Sequence, residues 1–430
     1  MKTFYHLLAN SFIVTVANTF VWFALTFWVY LETQSVISTS IISGLFLVTT
    51  AVSSIWFGGV VDHHRKKSAM LISTLATLIV FIASLVFYSL APADAFKSVA
   101  NPSLWLFLFL VLLGVIAGNI RNIAMPTMTT LLVKEKERDK ANGLSGAVMG
   151  VSFAISSVGS GLMLANYGMT GVLTLGITVS AIALIHLWFI PVNEKKIVHT
   201  EDKPKDLDIK GTIKIVAGIP GLFALIFFTT FNNFLGGVFM ALMDAYGLSL
   251  VSLQVWGTLW GFLSMGFIVG GMYIAKYGLG QNPLKTLFLV NIILWIDCMF
   301  FTAQPSIVLL TVGMIVYICL VPFVEAIEHT IIQKVVPPDR QGRVFGFAQS
   351  VESAASPVSS FAIGPIAQFI FIPFMTTGKG VELIGSWFGT GQGRGIALVF
   401  TLAGILGLTT TLIAMRTKSY SLLAKRYIKV

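Results

Sequence analysis

Twelve apolar stretches of 18 or more residues fill this chain, at 8–31, 37–61, 69–91, 103–125, 144–166, 171–191, 218–244, 251–275, 284–303, 306–326, 344–373 and 394–415. Lipid offers no partner for a backbone N–H or C=O, so a stretch of this length is read as a helix crossing a hydrocarbon core of about 30 Å. With 56% hydrophobic and only 11% charged residues, the chain has more apolar side chains than a soluble domain could cover. The sequence therefore predicts an all-α integral membrane protein of about twelve spans. The first stretch has no small-residue cleavage site behind a short apolar core, and it is read as a retained span rather than a signal peptide.

A formal net charge of +10 could suggest nucleic acid, but the placement of the cations argues otherwise. Lys and Arg accumulate on the cytoplasmic side of membrane proteins. With both termini cytoplasmic, 24 of the 28 basic residues fall inside, against Lys97, Lys379 and Arg394 outside and Arg121 within a span. The charge thus orients a multi-pass protein in the inner or plasma membrane, with the bilayer and not a nucleic acid as its partner. Cys298 and Cys319 lie within apolar spans, without disulfide or metal spacing. His6, His63, His64, His199 and His329 fall near the cytoplasmic surface and His186 is embedded; they form no metal constellation, and no cofactor is expected.

The longest polar interruption before the C-terminus, Val192 to Lys214, is expected to be a flexible cytoplasmic linker. It separates residues 1–191 from residues 215–430, six spans from six. The halves echo one another. Thr127, Val133, Gly143, Val148, Ser156, Ser157 and Gly161 recur 203 positions later as Thr330, Val336, Gly346, Val351, Ser359, Ser360 and Gly364, with Lys140 opposite Arg343. Thr15, Asn18 and Phe20 recur after 214 positions as Thr229, Asn232 and Phe234, and Gly58-Gly59 recurs after 212 as Gly270-Gly271. An apolar chain written as two copies of a multi-helix unit is the signature of a secondary transporter with its binding site between the repeats. Two pseudo-symmetric six-helix bundles acting as a monomer are expected.

Polarity inside the spans is also patterned. Span 1 carries Ser11, Thr15, Asn18, Trp22 and Thr26 on one helical face, and span 7 carries Thr230, Asn233, Gly237, Met240 and Asp244. These faces suit a wet substrate cavity, although hydroxyls and amides also serve as glue between helices. Trp256 and Trp260 share a face of span 8, which suits either an aromatic wall for a bulky ligand or a packed or lipid-facing position.

The loop after span 2 reads Gly58-Gly59-Val60-Val61-Asp62-His63-His64-Arg65-Lys66-Lys67. It resembles the signature loop of the major facilitator superfamily, G-x-x-x-D-R-x-x-R-K/R. Gly58, Asp62, Lys66 and Lys67 fit, His63 replaces the usual arginine and Arg65 is an added cation. The segments Thr127 to Gly143 and Thr330 to Gly346 are similar to cytoplasmic loops of the macrolide-efflux and enterobactin-exporter branch. The resemblance implies the major facilitator fold, with helices 1, 4, 7 and 10 lining the path. It also implies that Asp62 meets the start of span 11 near Gly342 to Gly346, and Arg121, to hold an outward-open state. Span 5 has Gly146, Gly150, Gly159 and Gly161 but lacks the Gly-Pro pair of well-marked drug antiporters.

Ionisable residues within spans are costly and become functional candidates. Glu352 lies deep in span 11 near Ser350, Ser353 and Ser356, and it is the first candidate for a carboxyl that carries protons. Asp297 in span 9 is the second. Glu325 and Glu328 lie near the cytoplasmic end of span 10, in the repeat positions of Asn122 and Met125. An Arg121 to Glu325 pair could close an inner gate, together with Asp62, Lys66, Lys67 and Arg343. Glu32 and Asp244, at the outer ends of spans 1 and 7, are read as solvated boundary acids or outer-gate acids.

An ATP-driven pump needs a Gly-x-x-x-x-Gly-Lys-Ser/Thr loop, and the chain has none. A membrane-embedded enzyme needs a metal cluster or a nucleophile with its base, and the histidines are dispersed with no Gly-x-Ser-x-Gly. The reading is a secondary transporter that exports a small amphiphilic compound, drug-like or macrolide-like, by proton antiport. A siderophore exporter or a lysophospholipid flippase would use the same fold. A receptor or scaffold of this topology would differ from all of these in moving nothing across liposomes.

Overall fold

Helices form where the apolar stretches predict them, and two of them start at a side-chain cap. The computed structural model describes residues 2–33, 36–92, 94–192, 194 and 209–429. Among these residues all regular structure is helical. In order, the helices are α1 Lys2–Thr33, α2 Val36–His63, α3 Lys66–Leu90, α4 Pro102–Gly118, α5 Ile120–Leu132, α6 Arg138–Phe189, α7 Ile209–Gly218, α8 Leu222–Leu248 and α9 Leu253–Leu263. There follow α10 Met265–Tyr277, α11 Pro283–Phe300, α12 Ile307–Val335, α13 Gln341–Ile366, α14 Ile372–Thr376, α15 Lys379–Phe388, α16 Gln392–Met415 and α17 Lys418–Lys429. Asn101-Pro102 and Asn282-Pro283 open α4 and α11 alike. Each Asn side chain accepts from a backbone N–H in the first turn, and each Pro sits where a missing N–H costs nothing.

The breaks are local and have causes. Helix α6 is 52 residues long, but Gly168 within it has φ 62° and ψ −169°. An unbroken helix of that length would extend about 78 Å, far beyond the membrane core, so the glycine turns one helix into two passes. The fourth span breaks after Gly118 and the eighth at Ser264. Pro357 and Pro365 lie inside α13, which runs on through a π-helical turn at Ala367–Phe371. The glycine-rich stretch 373–393 contains the short helix α15. Eleven helical segments among the described residues are long and apolar enough to cross a membrane, and the turn at Gly168 makes twelve passes. Most of the linker expected over 192–214 lies outside the described residues, as does His199.

Helix α3 shows what these spans do with polarity. Ser73, Thr74, Thr77 and Ser84 are buried, while Ile72, Leu75, Ile79, Ile82 and Val86 are exposed. Ser73 and Thr77 donate to the carbonyls of Ala117 (2.7 Å) and Gly114 (2.9 Å). The apolar face is left for lipid and the hydroxyls join helix to helix.

The chain divides into two compact units that are not contiguous in sequence. One comprises Met1–Ala141, Val148–Ile215 and Val336–Ser350; the other comprises Asn142–Ala147, Val216–Val335 and Val351–Val430. In the first, Trp28 packs against Tyr88, Phe96 and Phe107. In the second, Phe239, Phe301, Phe400 and Trp295 form the aromatic centre. Residues 142–147 of α6 and the first turns of α13, the repeat-related helices, therefore group apart from the rest of their own helix.

Repeated glycines make these two groupings possible. In the first unit, a Cβ on Gly58 would strike the Gly342 carbonyl, and one on Gly346 would strike the Ser54 carbonyl and Gly58. In the second, Gly143 lies against Ile274 and Gly271 against the Ala147 backbone. Gly143 and Gly346 are repeat equivalents, so each half brings a helix start into backbone contact through the same small residue. In detergent-solubilised protein, Gly58→Ala should lower stability by about 1–3 kcal/mol through overpacking. Gly59→Ala, with open space around its Cβ, should leave stability unchanged or raise it by up to about 1 kcal/mol. Equal melting shifts for the two variants would dismiss the close approach as the reason for this glycine.

Candidate functional site

The polar side chains that the sequence singles out gather into four groups, two in each unit. The first is built on the last turn of α2. Asp62, 2% exposed, accepts from the backbone N–H of Gly342 (2.7 Å) and of Arg343 (2.9 Å) at the start of α13. The Arg343 Nε lies 3.8 Å from Asp62 Oδ2. A carboxylate before a helix N-terminus meets unpaired N–H groups and the positive end of the helix dipole at once. Lys66 is buried and adds a favourable charge near Asp62.

Lys67 has another task. Its ammonium donates to the carbonyls of Trp188 (3.0 Å) and Ile190 (2.8 Å) at the end of α6, while Glu194 accepts from the backbone N–H groups of Lys66 (2.6 Å) and Lys67 (2.7 Å). Thus Lys67 caps the end of α6 and Glu194 caps the start of α3. The sequence placed Lys67 in the gate, but its bonds instead tie these two helices together, and Glu194 was not foreseen.

Arg121, at the start of α5, forms the second group. It is 2% exposed and donates to Asn10 Oδ1 (2.7 Å), Ser11 Oγ (3.3 Å) and Thr74 Oγ1 (2.8 Å). Asn10 in turn donates to the Ala183 carbonyl and contacts the His186 ring. These neutral partners stand where the sequence anticipated the carboxylates of Glu325 and Asp62. Glu325 is exposed on α12 in the second unit.

The third group surrounds Glu352 on α13. The Thr229 hydroxyl of α8 lies 2.7 Å from Glu352 Oε1 and 3.4 Å from Oε1 of Glu328 on α12, so one hydroxyl brings the two carboxyls together. The sequence reading favoured Glu325 as the important acid of α12, yet Glu328 is the one facing inward. Its signal was present: Glu328, Ile331, Ile332 and Val335 share one helical face, and all four are buried.

The fourth group is at the far end of α8, where Trp256 and Trp260 of α9 both donate to Asp244 Oδ1, at 2.9 Å and 3.1 Å. Trp256 is buried, so only Trp260 presents an open ring; the two do not make a continuous aromatic wall.

The remaining candidates are scattered. Asp297 on α11 is half-buried with Oδ2 unpartnered. On α1, Thr15, Asn18, Trp22 and Thr26 are half-buried; Trp22 stacks on Phe46, Thr26 donates to the Phe23 carbonyl, and Asn18 Oδ1 has no partner. On α8, Thr230 donates to the Ile226 carbonyl, and Asn233 and Met240 are exposed. Gly237 is packed against Ser356 and Ser359 of α13 and faces no cavity. No group of His, Cys, Asp and Glu among the described residues has the arrangement of a metal site.

The sequence profile of the Major Facilitator Superfamily matches residues 7–360. Macrolide efflux protein A of Streptococcus pyogenes is 22% identical over 375 residues, covering 83% of this chain and 87% of the relative. A bacterial homologue of the iron transporter ferroportin, solved in an outward-facing state, superposes with a TM-score of 0.67 over 97% of this chain and 100% of its own, at 11% identity. The E. coli fucose:proton symporter superposes with a TM-score of 0.66 over 95% of this chain and 98% of its own, at 14% identity. These structural likenesses carry the fold.

The Asp62 cap generates a local test. In Asp62→Asn the charge-assisted bonds to α13 weaken by about 1–2 kcal/mol, so amide exchange at Gly342 and Arg343 should quicken about 5- to 30-fold. Hydrogen–deuterium exchange read by mass spectrometry on the peptide over 340–346 would measure it. Unchanged protection there would mean that the carboxylate does not hold the helix start.

Proposed function

The chain belongs to the Major Facilitator Superfamily, and from that premise we propose that this membrane transporter exports a small amphiphilic compound, macrolide-like in character, in exchange for protons. The likeness to macrolide efflux protein A over most of both chains supports the cargo class. The observation that carries the coupling is the meeting of two carboxyls at one hydroxyl inside apolar helices, Thr229 Oγ1 lying 2.7 Å from Glu352 Oε1 and 3.4 Å from Glu328 Oε1. A proton on a buried carboxyl pair is an exchangeable cargo, and Thr229 gives the deprotonated oxygen a donor to fall back on. Asp297 is a second acid on the same half of the chain.

The two repeats, 1–191 and 215–430, rock about a central path in this reading, with the linker between them and both termini in the cytoplasm, as the 24 basic residues on that side favour. Asp62 with Lys66 and Arg343 forms a latch on the start of α13 that is made in one state and released in the other. Substrate meets Thr15, Asn18, Trp22 and Thr26 from one half and Thr230, Asn233, Met240, Trp256 and Trp260 from the other. A second reading, export of an anionic siderophore, draws on Arg121, a buried cation whose partners are all neutral.

Proteoliposomes decide between them. With a pH gradient imposed, wild-type protein should accumulate a radiolabelled macrolide, and Glu352→Gln should abolish that accumulation while leaving macrolide counterflow exchange intact. Unchanged proton-driven accumulation in the variant would remove Glu352 from the coupling. Accumulation of a labelled catecholate siderophore in place of the macrolide, lost in Arg121→Gln, would select the second reading.

A further inference from the structure

One end of α8 carries an anionic corner that no basic side chain among the described residues neutralises. Asp244 lies one turn before α8 ends at Leu248, and the last turn of that helix has no basic residue. Helix carbonyls already make the field negative there, so an acid is disfavoured in that position. Among the described residues, no Lys, Arg or His comes within salt-bridge distance of Asp244.

The carboxylate is nevertheless held firmly. Trp256 and Trp260 direct both indole N–H groups at its Oδ1. Their rings stand nearly perpendicular, 76° apart with centroids separated by 6.0 Å. Trp256 is 3% exposed and lies flat on Gly247, where a Cβ would occupy the space of its six-membered ring. Trp260 is 38% exposed, and Asp244 is also exposed, with no hydrogen bond to its Oδ2 among the described residues.

An aromatic ring is positive at its edge and negative over its face. Here both positive edges are spent on fixing the anion, and an open negative face is left beside a free carboxylate oxygen. Such a corner repels anions and offers a neutral ligand little more than apolar contact. It attracts a cation whose charge can lie against Asp244 while its N-alkyl groups lie on the Trp260 ring. Simple packing of the helix end would account for Trp256, but not for an uncompensated acid beside an open ring.

We propose that Asp244, Trp256 and Trp260 form a recognition site for a tertiary or quaternary ammonium group carried on an apolar body. This deepens the export reading and rests on it for the site's place in a transport cycle: the cargo becomes a lipophilic cation.

The test uses the full chain in lipid nanodiscs and equilibrium dialysis of two radiolabelled probes, a naphthylpropyl trimethylammonium and its uncharged tert-butyl isostere. Wild-type protein should bind the ammonium about tenfold more tightly than the isostere, the size expected of a partly desolvated cation–π and ion-pair contact. Asp244→Asn should bring the two probes within about twofold of each other, and Trp260→Leu should weaken the ammonium alone by about fivefold. Trp260→Phe, which keeps a face, should retain most of the preference and shows that the fold survives change at this position. Equal binding of both probes by wild-type protein, or a preference that persists in Asp244→Asn, overturns the proposal. Flux separates this site from the reading beneath it. If wild-type liposomes accumulate macrolide while no charge preference exists, the site fails and export stands. If the preference depends on Asp244 but neither macrolide nor ammonium is moved, export fails and the site stands.

Discussion

Water is missing from the hydrocarbon core, and most features of this protein follow from how its polar groups find partners without it. A backbone that must satisfy itself becomes helical. A hydroxyl that cannot reach water donates to a carbonyl, either one turn back or on the next helix, as Ser73 and Thr77 do. Side chains that are too costly to leave alone are drawn together. Glu328 and Glu352 meet at the Thr229 hydroxyl, and Arg121 collects an amide and two hydroxyls. In a soluble protein such groups would turn outward; here the outside is apolar, and they gather in the interior beside its hydrophobic core.

The two halves of the chain use one backbone plan with different chemistry at equivalent points. Each brings a helix start close to another helix through glycine, Gly346 near Ser54 and Gly143 near Ile274. In the first unit that approach is fastened by Asp62, a charge set against a helix end. In the second it is fastened by a neutral exchange, Asn142 donating to Thr330 (2.9 Å) and Gln333 (2.9 Å) and accepting from Gln333 (3.2 Å). The charged fastening responds to local fields and to nearby cations; the amide fastening depends on geometry alone. Duplication accounts for the shared backbone plan, and divergence after it for the different chemistry at equivalent points.

The spans were legible because a run of 18 apolar residues leaves one physical solution. Glu352 was legible for the complementary reason that a carboxyl in such a run stands out. The meeting of Asp62 with the start of α13 came from the family resemblance, since 280 positions separate Asp62 from Gly342 and no local pattern connects them. What escaped was direction. Glu325 and Glu328 are three positions apart, and only their helical faces tell the exposed one from the buried one. Lys67 reads as a gate cation in its motif, but its reach to the end of α6 depends on where that helix stops. The convergence of two indole N–H groups on Asp244 joins α8 to α9 around a turn, and spacing along either helix does not reveal it.

Helix α13 has a mechanical property that neither of its ends has alone. Its first amides are fastened to Asp62 and its Glu352 is fastened to α8, while its prolines, at 357 and 365, both lie beyond that stretch. Between Gly342 and Glu352 the helix is a strut about 15 Å long without a weak point. A pivot of about 5° at one end sweeps the other by about 1.3 Å, enough to part a hydrogen bond.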